Sequence, residues 1–206
     1  MSRIFCLALL IGFLSLLGVG FASAGDYSVH IQYERTDTFP LCKKIGATLG
    51  LSPIRDRRLD QGHVGRYVTP QRVASYLDSI PAPLGKAIEE ALAQCFSRKG
   101  IKVTLGSRWD GKKESLKSVE TDSVLMIEVE RFWTEETNPN TVGRPNVNTS
   151  IYLTIHLGIK REGKVITRQI FTSKGMILYP FSLDGIEQMV NRTLADLFDS
   201  FLFSVM

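Results

Sequence analysis

Little in this chain is equipped for chemistry. Its three histidines, His30, His63 and His156, lie far apart, and none stands at a metal-ligand spacing. No C-x-x-C pair is present, which excludes a thioredoxin-type redox site and a cysteine zinc site. There is no Gly-rich phosphate loop, no nucleophile elbow and no H-E-x-x-H. Charge of one sign is scarce as well. Lys and Arg number 25 against 21 Asp and Glu, a formal net charge of +4. Nucleic-acid binding needs a concentrated basic face, and the basic residues here are scattered. The densest cluster, Arg55, Arg57 and Arg58, is interleaved with Asp56 and Asp60. Mixed signs read as a solvated face or a salt-bridged turn rather than an anion site.

Long apolar runs are almost absent too, with one exception at the start. Arg3 supplies a positive charge, Ile4 to Phe21 is nearly all apolar, and Ala22-Ser23-Ala24 precedes Gly25. A charged start, an apolar middle and a small-residue exit make a secretory signal peptide, with cleavage expected between Ala24 and Gly25. The rival is a retained anchor, since the run is at the lower edge of what spans a bilayer. Gly12, Gly18, Gly20 and the A-x-A exit favour cleavage. Cys6 lies inside the apolar run, and the first mature residue is Gly25, so the product is expected to be unlipidated. The reading is a periplasmic or otherwise exported protein with no stable membrane span after cleavage.

Residues 25–43 form an N-terminal arm, and residues 44–206 a single α/β domain long enough to bury a core. The mature chain keeps two cysteines, Cys42 and Cys95. In an oxidising compartment two thiols in one domain usually meet. Cys42 precedes a predicted strand and Cys95 ends the predicted helix after it, two points at the same edge of a strand–helix–strand unit. A bridge would close a loop of about 50 residues, worth roughly 4 kcal/mol in the chain-entropy model. The alternative is two buried thiols, because Cys95 also lies on the helix's apolar stripe.

Alternation of apolar and polar residues predicts strands at Val29–Tyr33, Ile45–Leu51, Ile101–Leu105, Ser123–Trp133, Ile151–Ile159 and Val165–Ser173. Val124 to Ile127 is apolar on both faces, which makes that strand central. Arg55 to Arg66 is polar and reads as exposed. Thr69 and Pro70 resemble an N-cap and first helical position, and Val73, Leu77 and Ile80 then share one face of a short helix. Leu84, Ala87, Ile88, Ala91, Leu92, Cys95 and Phe96 form a full helical stripe that Gly100 ends. A last helix, capped by Ser182, carries Ile186, Met189, Val190, Leu194, Leu197, Phe198, Phe201 and Leu202. The expected architecture is α+β: a mixed, mostly antiparallel sheet with two long helices packed on one face. One β-α-β crossover is followed by a β-meander and the C-terminal helix. The other face of the sheet must be covered by loops or a partner.

Candidate functional residues are few. Glu128 and Glu130 are two apart on a strand and so share a face, with Cβ atoms about 7 Å apart. Carboxylate pairs at such spacing serve hydrolases, though exposed strands carry them routinely. His156 shares a strand face with Tyr152 and Thr154 and reads as a surface or hydrogen-bonded histidine. Asn148-Thr149-Ser150 and Asn191-Arg192-Thr193 match the glycan acceptor pattern, the second inside a predicted helix. Glu135 to Asn148 has no periodicity and reads as a long loop or hairpin tip. With Asn138, Asn140 and Arg144 it is the best candidate for contact with a partner. Trp109, Trp133, Tyr179, Pro180 and Phe181 are further candidates.

The strand and turn Ile45-Gly46-Ala47-Thr48-Leu49-Gly50-Leu51-Ser52-Pro53-Ile54-Arg55-Asp56-Arg57-Arg58 resembles that of the YajG-like group of small bacterial envelope lipoproteins. The passage Pro83 to Val103 and the strand Val124 to Glu130 extend the resemblance over roughly residues 42–203. It implies a periplasmic, non-enzymatic protein held to a membrane by lipid. The chain departs from the group there, because the lipidated Cys is missing. The strand order is also similar to that of lipopolysaccharide-assembly lipoprotein domains. The functional expectation is a non-enzymatic, exported binding or assembly module for another envelope component. The alternatives are a carrier of an apolar or lipid ligand and, third, a hydrolase on Glu128 and Glu130. Neither cofactor nor metal is expected.

Overall fold

The computed structural model describes residues 27–33, 44–68, 74–137, 146–178 and 182–204. In chain order the elements are β1 (Tyr27–His30), β2 (Thr48–Leu51), β3 (Arg55–Asp56), β4 (Gly65–Val68), β5 (Ala74–Ile80), α1 (Leu84–Arg98), β6 (Lys102–Leu105), β7 (Ser123–Glu136), β8 (Asn146–Ile159), β9 (Lys164–Ile177) and α2 (Leu183–Ser204). The described strands join one mixed sheet of nine.

β7 is its spine. One of its edges pairs along its full length with β8, antiparallel, and β8 pairs in turn with β9. The other edge is met by three short parallel segments in succession. Leu49 to Leu51 of β2 align with Ser123 to Leu125, Arg55 and Asp56 of β3 with Glu128 and Val129, and Gly65 and Arg66 of β4 with Thr134 and Glu135. Pro53 lacks an N–H, so it interrupts the first passage, and the chain resumes one residue out of step. Beyond this point the sheet forks. β2 leads to β6, and β4 turns back as β5, which takes β1 on its far side.

The crossover β2–α1–β6 is as expected, with its two strands parallel and adjacent. The α1 stripe from Leu84 to Phe96 is buried, and Gly100 follows it at φ +80°, a left-handed conformation that glycine adopts without strain. Ser182 caps α2 by accepting the Gly185 N–H at 3.1 Å. Both helices enter one continuous core with the inward residues of β7 and β8. Phe132, Ile151, Leu153 and Phe198 are all 2% exposed or less there. No described helix is long and apolar enough to cross a membrane.

Several expectations need correction. Residues 74–80 are not a helix but β5, whose exposure alternates with a period of two. Leu77 is fully buried, whereas Ile80, the supposed helical neighbour on the same face, is 38% exposed. Wedged between β1 and β4, this segment gains two ladders of backbone hydrogen bonds, which outweigh its apparent capping signal at Thr69 and Pro70. Thr69, Pro70 and Val73 lie outside the described residues. Strand β2 begins at Thr48 rather than Ile45. Gly46 turns the chain at φ +88°, and Asp122 accepts the N–H groups of Ala47 and Thr48, each at 2.9 Å. "Mostly antiparallel" is not exact, because five of the eight strand pairings are parallel, although the long ladders of β7 with β8 and β8 with β9 are antiparallel.

The polar stretch after Pro53 is not simply exposed. Arg58 is 6% exposed. Its Nε and Nη2 donate to the Asp56 carboxylate at 2.9 and 2.8 Å, and Nη1 donates to the His63 and Phe132 carbonyls at 2.7 and 3.3 Å. This guanidinium thereby ties the excursion between β3 and β4 to β7. Removing one partner of a buried ion pair typically costs about 3–5 kcal/mol, because the other charge stays buried. Arg58→Met is expected to lose about 3 kcal/mol in urea denaturation. A loss below about 1 kcal/mol, the range of an exposed pair, would show that this clamp does not hold the two segments.

Candidate functional site

The sheet's outer face, opposite the helices, carries the even-numbered residues of β7 from Val124 to Glu128, with Tyr152, Thr154 and His156 of β8. One end of it is covered by the segment between β6 and β7. Trp109, Leu116 and Val119 from that segment pack with Val124 and Met126 into a second small core. Gly158 permits this seating. A Cβ there would stand 2.6 Å from Leu116 Cδ1 and 3.1 Å from the Trp109 ring. Trp109 Nε1 donates to the Lys112 carbonyl at 2.9 Å, so the indole satisfies its polar group locally. The Asp110 carboxylate accepts the Lys112 N–H at 2.9 Å and the Ser115 hydroxyl. Those contacts, the hydroxyl foremost, hold its carboxyl below the usual carboxylate range.

Beside this cover lies a cleft of about 560 Å³. Ser52, Pro53, Ile54 and Arg55 form one wall, Ser107 to Asp110 with Ser115 the other, and Met126 lines it between them. Arg55 leans out of the wall toward Glu128, donating from Nη1 at 3.2 Å, and Arg57 donates from Nη2 to the same oxygen at 2.7 Å. Glu128 is 7% exposed, while the two arginine side chains are about half exposed. A buried carboxylate is thus matched by two cations that both still reach solvent.

The carboxylate pair expected of a hydrolase is assembled differently from the sequence reading. Glu128 is committed to Arg55 and Arg57, and a bulge between Val129 and Arg131 makes Glu130 the extra residue of β7. The strand's strict two-residue repeat breaks at that point. His156 faces Met126 across the strand pair, and its Nδ1 lies 2.9 Å from Thr167 Oγ1. His63 sits elsewhere, with Nδ1 2.7 Å from Asp78 and its ring stacked on Tyr76. The His30 backbone is bound to α2, its N–H donating to Glu187 and its C=O accepting from Asn191. Asn191 of the second glycan pattern is therefore occupied in docking β1. Among the described residues no group of three or more His, Cys, Asp or Glu is placed to hold a metal ion.

The expected partner loop is shorter than its sequence suggested. The β7–β8 ladder continues to Glu136 opposite Val147, and Glu135 pairs directly with Asn148. Both are strand residues. Glu135 accepts from Trp133 Nε1 at 3.2 Å, and Asn148 Oδ1 accepts from the Ser173 hydroxyl at 3.0 Å. Asn138, Asn140 and Arg144 lie outside the described residues, as do Ala24, Gly25, Cys42, Tyr179, Pro180 and Phe181. Cys95 is buried on α1. Trp109 proves to be a core residue, whereas Ser52 and Arg108, which line the cleft, were not singled out in the sequence. The Pro53 break and the one tryptophan in a long polar segment were the signals that could have found them.

No family model matches the chain, and no curated protein matches it. Among solved structures, an uncharacterised protein is similar at 12% identity with a TM-score of 0.48, covering 88% of this chain and 100% of that one. A neuraminyllactose-binding hemagglutinin homolog from Helicobacter pylori is similar at 13% identity and a TM-score of 0.42, covering 87% and 92%. A lipoprotein from Neisseria meningitidis is similar at 13% identity and a TM-score of 0.32, covering 75% and 99%. Nothing about the chemistry of this chain follows from these likenesses.

Burial holds the His156 imidazole below its ordinary value, with Arg55 and Arg57 acting in the same direction and Glu128 against it. A base that binds its proton more weakly when folded leaves the unfolded chain with more protons near pH 6. Stability is therefore retained above about pH 6.5 and declines as pH falls through the lower folded value. Unfolding free energies from urea titrations at pH 7, 6 and 5 should fall, and His156→Gln should flatten that fall. Equal slopes in both proteins would place the titrating group elsewhere.

Proposed function

We propose that this chain is a non-enzymatic, exported binding or assembly module that meets another envelope component along strand β9 and the adjoining hairpin end. The observation that carries the reading is the state of that edge. β9 runs for 14 residues and, among the described residues, pairs with β8 alone. Phe171, Ile177 and Met176 on it are 61, 63 and 40% exposed. An edge with unpaired N–H and C=O groups and large apolar side chains is a template for another chain. At the β1 edge, by contrast, Glu187 and Asn191 of α2 engage the N–H groups of His30 and Gln32, and the edge at β6 is only four residues long.

A carrier of apolar ligands would hold its cargo between the sheet and the helices. That space is filled by Phe132, Phe198, Phe201, Ile88 and Leu92, each 2% exposed or less. The export half of the proposal is supported by residues 1–24, with their charged start, apolar run and A-x-A exit. The resemblance of residues 42–203 to the YajG-like group points to the same compartment.

A photo-crosslinking side chain at position 171, tested in cells, should give one dominant adduct. The same group at Lys86, on the solvent side of α1, should give none. Ile177→Asp should reduce the adduct severalfold, and a Gly/Ser linker in place of residues 138–145 should do so if the hairpin end takes part. Equal labelling from both positions, or none from 171, would refute the edge as an interface. N-terminal sequencing of the secreted fraction should begin at Gly25. A chain retaining residues 1–24 would refute cleavage.

A further inference from the structure

The cleft on the outer face has a chemistry of its own, independent of the β9 edge. Its volume of about 560 Å³ falls within the range of small-molecule sites. Three of its lining residues, Pro53, Ile54 and Met126, present apolar surface. Two others, Arg55 and Arg108, bring guanidinium groups. Arg108 is exposed and has no hydrogen bond or ion pair among the described residues. Arg55 uses one nitrogen on Glu128. A guanidinium offers five N–H donors, so most of the donor capacity at this rim is unused.

The acidic groups nearby are not equivalent to the basic ones. Asp110 is held by Ser115 and the Lys112 N–H, and Glu128 by Arg55 and Arg57. A second observation lies in the wall itself. Ser52 is 4% exposed, and its hydroxyl oxygen has no hydrogen-bond partner. A buried hydroxyl left unpaired is uncommon, because it forgoes its hydration without return. A serine hydroxyl turns by rotation about a single bond, so this one can serve a group entering the cleft.

We propose that the cleft binds a small organic anion, its apolar body lying on Pro53, Ile54 and Met126 and its acid group held by Arg55 and Arg108. The shared chemistry is one carboxylate, sulfonate or phosphate on an apolar frame. An inorganic anion lacks the body, and a neutral apolar compound lacks the charge. Charge-assisted hydrogen bonds are shorter and stronger than neutral ones, and Arg presents them in a fixed fork. Affinity in such a site falls as salt rises, since the rim is open to solvent.

The test uses the full mature chain with 1-anilinonaphthalene-8-sulfonate as fluorescent probe. Phe171→Ser and Ile177→Ser are introduced into the background so that the apolar edge does not take up probe. One equivalent should bind. Arg108→Glu should weaken binding by about tenfold or more, the worth of one hydrogen bond to a charged group. The thermal midpoint should be unchanged, because Arg108 is exposed and unpaired. Octanoate should displace the probe, while octanol and inorganic sulfate at the same concentration should not. Binding unaffected by Arg108→Glu, equal displacement by octanol, or no stoichiometric binding would each overturn the assignment.

Discussion

The structure depends on how one edge of β7 is satisfied. A central strand must find partners for all its backbone groups. Here that edge is shared by β2, β3 and β4 in turn, each too short to hold alone. Ser52 N–H to Leu125 O, Arg57 N–H to Val129 O and Thr134 N–H to Val64 O, all at 2.9 Å, stitch the joins between them. The departures from β7 are what create the site. Where Pro53 lifts the chain away, a wall forms. Where the chain returns as β3, Arg55 and Arg57 are delivered over Glu128. Arg58 then secures the longer departure before β4. Gly65 lets β4 come in, since a Cβ there would stand 2.3 Å from the Thr134 carbonyl oxygen.

The two faces of the sheet are covered unequally, and that inequality gives the molecule its outward surface. On the inner face two amphipathic helices and the inward residues of β7 and β8 form one core. On the outer face five buried residues make a small second core under the segment before β7. Gly158 thins the sheet at the point where Trp109 and Leu116 land. The rest of that face is not matched by a helix, and it grades from this cover, through the Arg55–Glu128–Arg57 group, to the exposed Phe171.

The helices and long strands were legible because their signals are local. Seven apolar residues at helical spacing identify α1 whatever surrounds it, and unbroken alternation identifies β8. The orientation of β7 as central followed from Val124 to Ile127 being apolar on both faces. β5 was misread because Val73, Leu77 and Ile80 stand at helical spacing, and the ladders that decide the matter come in part from β1, far away in the chain. β3 has two residues and no pattern at all. The site was less legible still. Glu128 was found, but its partners Arg55 and Arg57 reach it across more than 70 positions, through a parallel pairing that no spacing announces. The hairpin end was overestimated because Asn and Thr near strand ends suggest a loop, although Thr134 and Thr149 share a buried hydrogen bond of 2.9 Å inside the ladder.

The same long-range pairings decide the polarity of the outer surface. By formal charge this side of the sheet is mixed, and the interleaved Arg55, Asp56, Arg57, Arg58 and Asp60 read from sequence as a solvated face or a salt-bridged turn. Structure assigns four of its acids to internal tasks. Asp56 holds Arg58, Glu128 holds Arg55 and Arg57, Asp122 accepts the first N–H groups of β2, and Asp110 closes its own turn. Each of these carboxylates already accepts two or more donors from the protein. The guanidiniums of Arg55, Arg57 and Arg108 have more donors than the protein uses, and all three reach solvent. Beside the cleft, the donor capacity left over is that of these guanidiniums. Arg55 and Arg57 stand there because β3 pairs in parallel with β7, a placement that composition does not announce.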